Sequence, residues 1–139
     1  MSAATGESGP LTDKLGLSRG LIVQELGWDN DVDDDVRVMI EDAIDGELLE
    51  EAMEAVDLVI LWWRDDDGDL VDGLVDSLTD LSDAGYIWLM TPKVGRDGYV
   101  EPADLAEAAA TAGLAQTTTA SVSSDWAATK LVRPRGSRR

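Results

Sequence analysis

Histidine, cysteine and phenylalanine are absent from the 139 residues, and lysine occurs only three times. Without imidazole or thiol, the chain has no histidine base, no cysteine nucleophile, no disulfide and no ordinary zinc site. Long hydrophobic runs are missing too: the longest, Leu58 to Trp63, is far shorter than the roughly 20 residues that span a bilayer. Met1 to Pro10 carries neither a positive n-region nor an apolar run, so it reads as a frayed tail rather than a signal peptide or anchor. The expectation is a soluble, cytoplasmic protein with no membrane partner, which the lack of cysteine permits. Positive charge is scarce: 11 Lys plus Arg stand against 29 Asp plus Glu, a net of −18 that repels DNA, RNA and anionic membranes.

What is present suffices for one folded domain, because 44% of the residues are apolar. The expected division is a disordered tail over 1–10, a single α/β domain over 11–132 and a basic flexible tail over 133–139. Acid is concentrated from Glu25 to Asp83, where 22 acids face only Arg37 and Arg64, while Arg133, Arg135, Arg138 and Arg139 close the chain. Leu21–Leu26, Val56–Trp63 and Tyr86–Met90 are short, Val-, Ile-, Leu- and Trp-rich runs with the pattern of strands. The second is apolar at nearly every position, as a central strand covered on both faces requires.

Helical spacing joins Val32, Val36, Met39, Ile40 and Ala43 behind an Asp31 or Asp33 N-cap, with Gly46 as the stop. It recurs briefly over Leu48, Leu49, Ala52 and Met53, then over Leu70 to Leu81 until Gly85, and again from Pro102 to Gly113. Gln116–Val122 and Ala127–Val132, around Ser124-Asp125-Trp126, mark an antiparallel hairpin. The prediction is a three-layer α/β fold: a mostly parallel five-stranded sheet of order 1-2-3-5-4 with an antiparallel C-terminal hairpin.

Leu11 to Leu17, then Arg19-Gly20 and a strand, resembles the leader helix and first strand of class I methyltransferases that use S-adenosylmethionine. Tyr86–Met90, Glu101 to Leu114 and the closing hairpin resemble the end of the same fold. Gln24-Glu25-Leu26-Gly27-Trp28, Asp31 to Asp35, Leu61 to Asp69 and Thr91-Pro92-Lys93 resemble an actinobacterial family classed as domain of unknown function 3052, over nearly the whole chain. The resemblance implies a degenerate Rossmann, methyltransferase-like scaffold. It departs from the cofactor-binding pattern at Gly27-Trp28-Asp29-Asn30, where an indole and an acid replace a glycine-rich turn. It departs again between Leu26 and Val56, where no second strand ends in a ribose-binding acid.

Ligands of open α/β sheets bind beyond the carboxyl ends of the strands, which selects Gly27, Trp28, Arg64 and Lys93 as candidates for a planar or anionic ligand. The plainer alternative pairs Arg64 and Lys93 with Asp29, Asp65 or Asp67 and makes Trp28 a plug. Asp31 to Asp35 and Asp65 to Asp69 suggest calcium, but placing Gly68 at position 6 of an EF-hand loop puts Trp63 at position 1 and Leu74 at position 12. Both runs read better as helix N-terminal acids, and no metal is expected. Ser123 and Ser124 beside Asp125 lack the histidine of a hydrolase and fit a turn.

Trp126, if exposed, is an anchor for a protein partner; if buried, it closes the sheet edge. The functional expectation is a non-catalytic domain whose acidic surface meets a basic protein partner. No cofactor is expected; S-adenosylmethionine or another small anion is the alternative. Acidic surface also simply keeps a protein soluble, and adaptation to high salt is a third, less specific account of the charge.

Overall fold

In the computed structural model, residues 15–134 are described. The expected 1–10 tail, most of the Leu11–Leu17 leader and residues 135–139 of the basic tail lie outside them. The strands are β1 (Val23–Leu26), β2 (Val56–Trp62), β3 (Leu81–Pro92), β4 (Ala115–Ser121) and β5 (Trp126–Val132). The helices among the described residues are α1 (Asp34–Ile44), α2 (Leu70–Leu78) and α3 (Pro102–Thr111). They build one sheet of order β1-β2-β3-β5-β4, the predicted order. β1, β2 and β3 run parallel, and β5 pairs antiparallel with both β3 and β4.

The doubly apolar β2 organises the molecule, because successive strand residues face opposite sides. Leu58, Ile60 and Trp62 join Val36, Ile40 and Ile44 of α1 in one layer, with Leu15, Trp88, Met90 and Trp126. Val59 and Leu61 join Leu70 and Leu74 of α2 and Leu105 and Ala108 of α3 in the other. Each aliphatic side chain buried this way contributes about 1.5–3 kcal/mol. Trp62 and Trp63 go to opposite layers, and Gly73 makes room for the second: a Cβ there would lie 2.6 Å from the Trp63 ring.

Three expected boundaries move. α1 begins behind Asp33, whose carboxylate accepts from Val36 N at 3.1 Å, and ends in a left-handed Asp45 at φ 57° rather than at Gly46. Asp is among the few side chains that tolerate that conformation. The helix expected over Leu48 to Met53 is absent. Leu49 instead forms a parallel bridge with Gln24, with Glu25 N to Leu49 O at 2.7 Å and Leu49 N to Val23 O at 3.0 Å. α2 stops at Leu78, and β3 starts at Leu81 rather than Tyr86. Arg133, which opens the basic tail, donates to the carbonyls of Ser82 (2.7 Å) and Leu81 (3.3 Å), so its side chain is tied to the start of β3.

The Leu49 bridge has a topological consequence. β1 has Leu49 on one side and β2 on the other, so the chain leaves β1 in one direction and resumes the sheet in the opposite one. The gap between β1 and β2 is therefore the switch point at which open α/β sheets bind ligands.

Candidate functional site: a crevice filled from within

At the carboxyl end of β1 the chain turns through Gly27 at φ +78°. A Cβ there would stand 2.2 Å from the Trp62 carbonyl oxygen, so only glycine fits. The close approach is made to the protein's own β2 backbone, in a place where a dinucleotide-type turn would offer it to a ligand. The next residue, Trp28, is 55% exposed, so it does not plug the crevice.

Arg64 does. It follows β2 and is 7% exposed. Its Nη1 donates to the Gly27 carbonyl at 2.8 Å and to Asp67 Oδ2 at 3.2 Å. Its Nε donates to Asp31 Oδ2 at 3.0 Å, and Nη2 completes a two-pronged pair with the same carboxylate. The guanidinium lies 5.4 Å from the centroid of Trp126, a cation–π contact, and Trp126 meets Trp62 edge-on at 4.9 Å. Trp126 Nε1 donates to the Asp31 carbonyl at 3.3 Å. Of the acids foreseen for Arg64, only Asp67 is used, and the stronger pairing goes to Asp31.

These contacts fix the ionisation. The Arg64 hydrogen bonds hold the Asp31 carboxyl below its ordinary value of 3.8, against a smaller opposing effect of burial. Burial works against the Arg64 charge, yet the bonds to Asp31 and Asp67 outweigh it and push its pKa up. Behind this pair lies Glu25, 5% exposed, which accepts Arg37 Nε at 2.7 Å, Arg37 Nη2 at 2.8 Å and Trp62 Nε1 at 2.8 Å. The Glu25 bond raises the Arg37 pKa despite partial burial. Both cations of the acid-rich segment are thus consumed in internal pairs.

Lys93 is not brought to the crevice. Its backbone N–H donates to the Asp125 carbonyl at 2.8 Å, and its Nζ reaches Ser121 Oγ on the hairpin. Trp126 is 4% exposed, which corrects the idea of an exposed partner anchor: its ring is enclosed by Trp62 and Arg64. The acidic runs are helix starts, with Asp33 capping α1 and Asp69 accepting from Val71 N at 2.9 Å at α2. Among the described residues no group of three or more acids could hold a metal ion, and no helix is long and apolar enough to cross a membrane. Glu25 and Asp31 were missed in the sequence. The available signal for Glu25 was a lone acid inside an apolar strand; for Asp31, which meets Arg64 across 33 residues, there was none.

A family model described as a protein of unknown function, DUF3052, matches residues 12–135. The chain belongs to that family. Uncharacterized proteins of Mycobacterium bovis and Mycobacterium tuberculosis are 52% identical to it over 123 residues, covering 88% of this chain and 77% of theirs. Among solved structures, the mitomycin 7-O-methyltransferase MmcR superposes with TM-score 0.65 at 12% identity, over 96% of this chain and 55% of that one. A SAM-dependent methyltransferase from Aquifex aeolicus gives 0.57 at 12% identity, over 92% and 90%. The DUF3052 chain thus spans about half the length of the first of these enzymes, and the likeness establishes a Rossmann-like, methyltransferase-type fold.

At the DUF3052 switch point the space beside the glycine turn is taken by the protein's own groups. The Trp62 carbonyl stands against the glycine turn, and Arg64 lies between that turn and the Trp126 ring. The second edge strand, not expected from the sequence, is reduced to the single Leu49 bridge, and Glu50 and Glu51 follow it directly, which corrects the expectation that no acid stands there.

Proposed function

We propose that this DUF3052 domain is a non-catalytic interaction module that receives a basic segment of another protein on the carboxyl edge of its parallel strands. One arrangement carries the reading: exposed Trp28 stands among exposed acids, beside a crevice that the protein's own side chains fill. Asp29, Asp34 and Asp35 after β1, and Asp65 and Asp66 after β2, are all exposed on that rim. Such a rim steers a cationic partner, and an exposed indole offers Arg or Lys a stacking face.

Photo-crosslinking from position 28, with position 53 as the control, tests this. Met53 is 89% exposed and precedes β2, at the opposite end of the strands. The expected product is a basic protein captured from position 28 only, in a yield that falls with rising salt and on replacing Asp34, Asp35, Asp65 and Asp66 by Asn. Equal capture from both positions, or salt-independent capture, contradicts the proposal.

A further inference from the structure

A second cleft opens on the other face of the same sheet, independently of the acidic rim. Strand alternation places Thr91 beyond Leu89 and Thr129 before Leu131, on the face that carries α2 and α3. At the start of α3 a cavity of about 370 Å³ lies between the sheet and the loop from Lys93 to Pro102. Its walls are apolar, from Pro92, Val100, Leu105 and the Tyr99 ring. Its floor holds Thr91 and Thr129, 7% and 5% exposed, and neither hydroxyl has a hydrogen-bond partner among the described residues. Neither oxygen is sealed from solvent, so two hydroxyls lining one apolar cavity are available to a polar atom from outside. At the rim stands Lys93, a cation in a chain of net charge −18, with only one of its ammonium hydrogens engaged, by Ser121.

We propose that this cleft binds a small amphipathic carboxylate, with the carboxylate on Lys93 and the hydrocarbon along Val100 and Leu105 over the threonine floor. The volume falls within the roughly 300–1,000 Å³ of small-molecule pockets. The placement also accounts for Lys93 facing away from the Arg64 crevice.

Decanoate, with its methyl ester as the uncharged control, is the probe, titrated below its micelle concentration into isotopically labelled protein. Saturable shifts are expected at Thr91, Val100 and Thr129, with Gly27 and Trp126 unmoved. Lys93→Met should weaken decanoate about tenfold without weakening the ester, the loss of one ion pair in a partly dry site. Ala127→Leu, which fills the cleft, should abolish both. Absence of saturable shifts, shifts centred on Trp126, or equal binding of decanoate by the Lys93→Met variant overturns the proposal.

Discussion

The two faces of the sheet's carboxyl edge have opposite interiors. On the α1 face, at the switch point, the polar groups of Arg64, Asp31, Trp126, Trp62, Glu25 and Arg37 are engaged with one another or with nearby backbone. On the α3 face, Thr91 and Thr129 line an open cavity of about 370 Å³ with their hydroxyls unengaged among the described residues. The contrast teaches that topology indicates where a sheet can bind, whereas side-chain satisfaction decides whether it does. The switch point is occupied by the protein's own side chains, and the cleft proposed for a small ligand lies on the other face.

Substitutions sharpen that comparison. The largest effect belongs to Gly27→Ala, which combines a positive φ with a carbonyl oxygen 2.2 Å from the new Cβ; roughly 4 kcal/mol should be lost on urea unfolding. Arg37→Met follows, at about 3 kcal/mol, because it strands the Glu25 carboxylate, whose side chain is 4% exposed. Arg64→Leu should cost about 2 kcal/mol, less because half-exposed Asp31 rehydrates and the aliphatic side chain keeps part of the Trp126 contact. On the open face, Thr129→Val should change stability by less than about 0.5 kcal/mol, since the lost hydroxyl has no partner. A Thr129→Val cost equal to that of Arg64→Leu would erase the distinction between the faces.

The smallest effect is a pH dependence. The Asp31 pKa is depressed on folding, so its contribution is present above the ordinary value of 3.8 and is lost as pH falls through the lower folded value. Asp31→Asn should flatten the fall of the urea midpoint in that acid range and leave neutral stability less affected than Arg64→Leu does.

The sheet order and the opposed faces of Trp62 and Trp63 were legible because an uninterrupted apolar strand must be central and residue alternation is fixed. The start of β3 was not: Ser82, Asp83 and Ala84 show no apolar alternation, and two of them are exposed where the strand runs out past its helices. The false helix at Leu48–Met53 arose because four apolar residues satisfy helical spacing whether or not hydrogen bonds follow, and here Leu49 found β1. In the site, Gly27 and Arg64 were legible from their places after strands. Their partners were not, since Asp31 and Trp126 reach Arg64 through loop geometry that local periodicity does not encode. The position of Lys93 after β3 was right, but the hairpin draws its ammonium group towards Ser121.

The most direct test of the closed crevice is a titration of labelled protein with S-adenosylmethionine, followed through the indole N–H signals of Trp62 and Trp126. The account predicts that both signals stay in place and remain protected from hydrogen exchange up to millimolar ligand. Saturable movement of either signal with micromolar affinity would contradict it, because the ligand would then have displaced the Arg64–Asp31 pair.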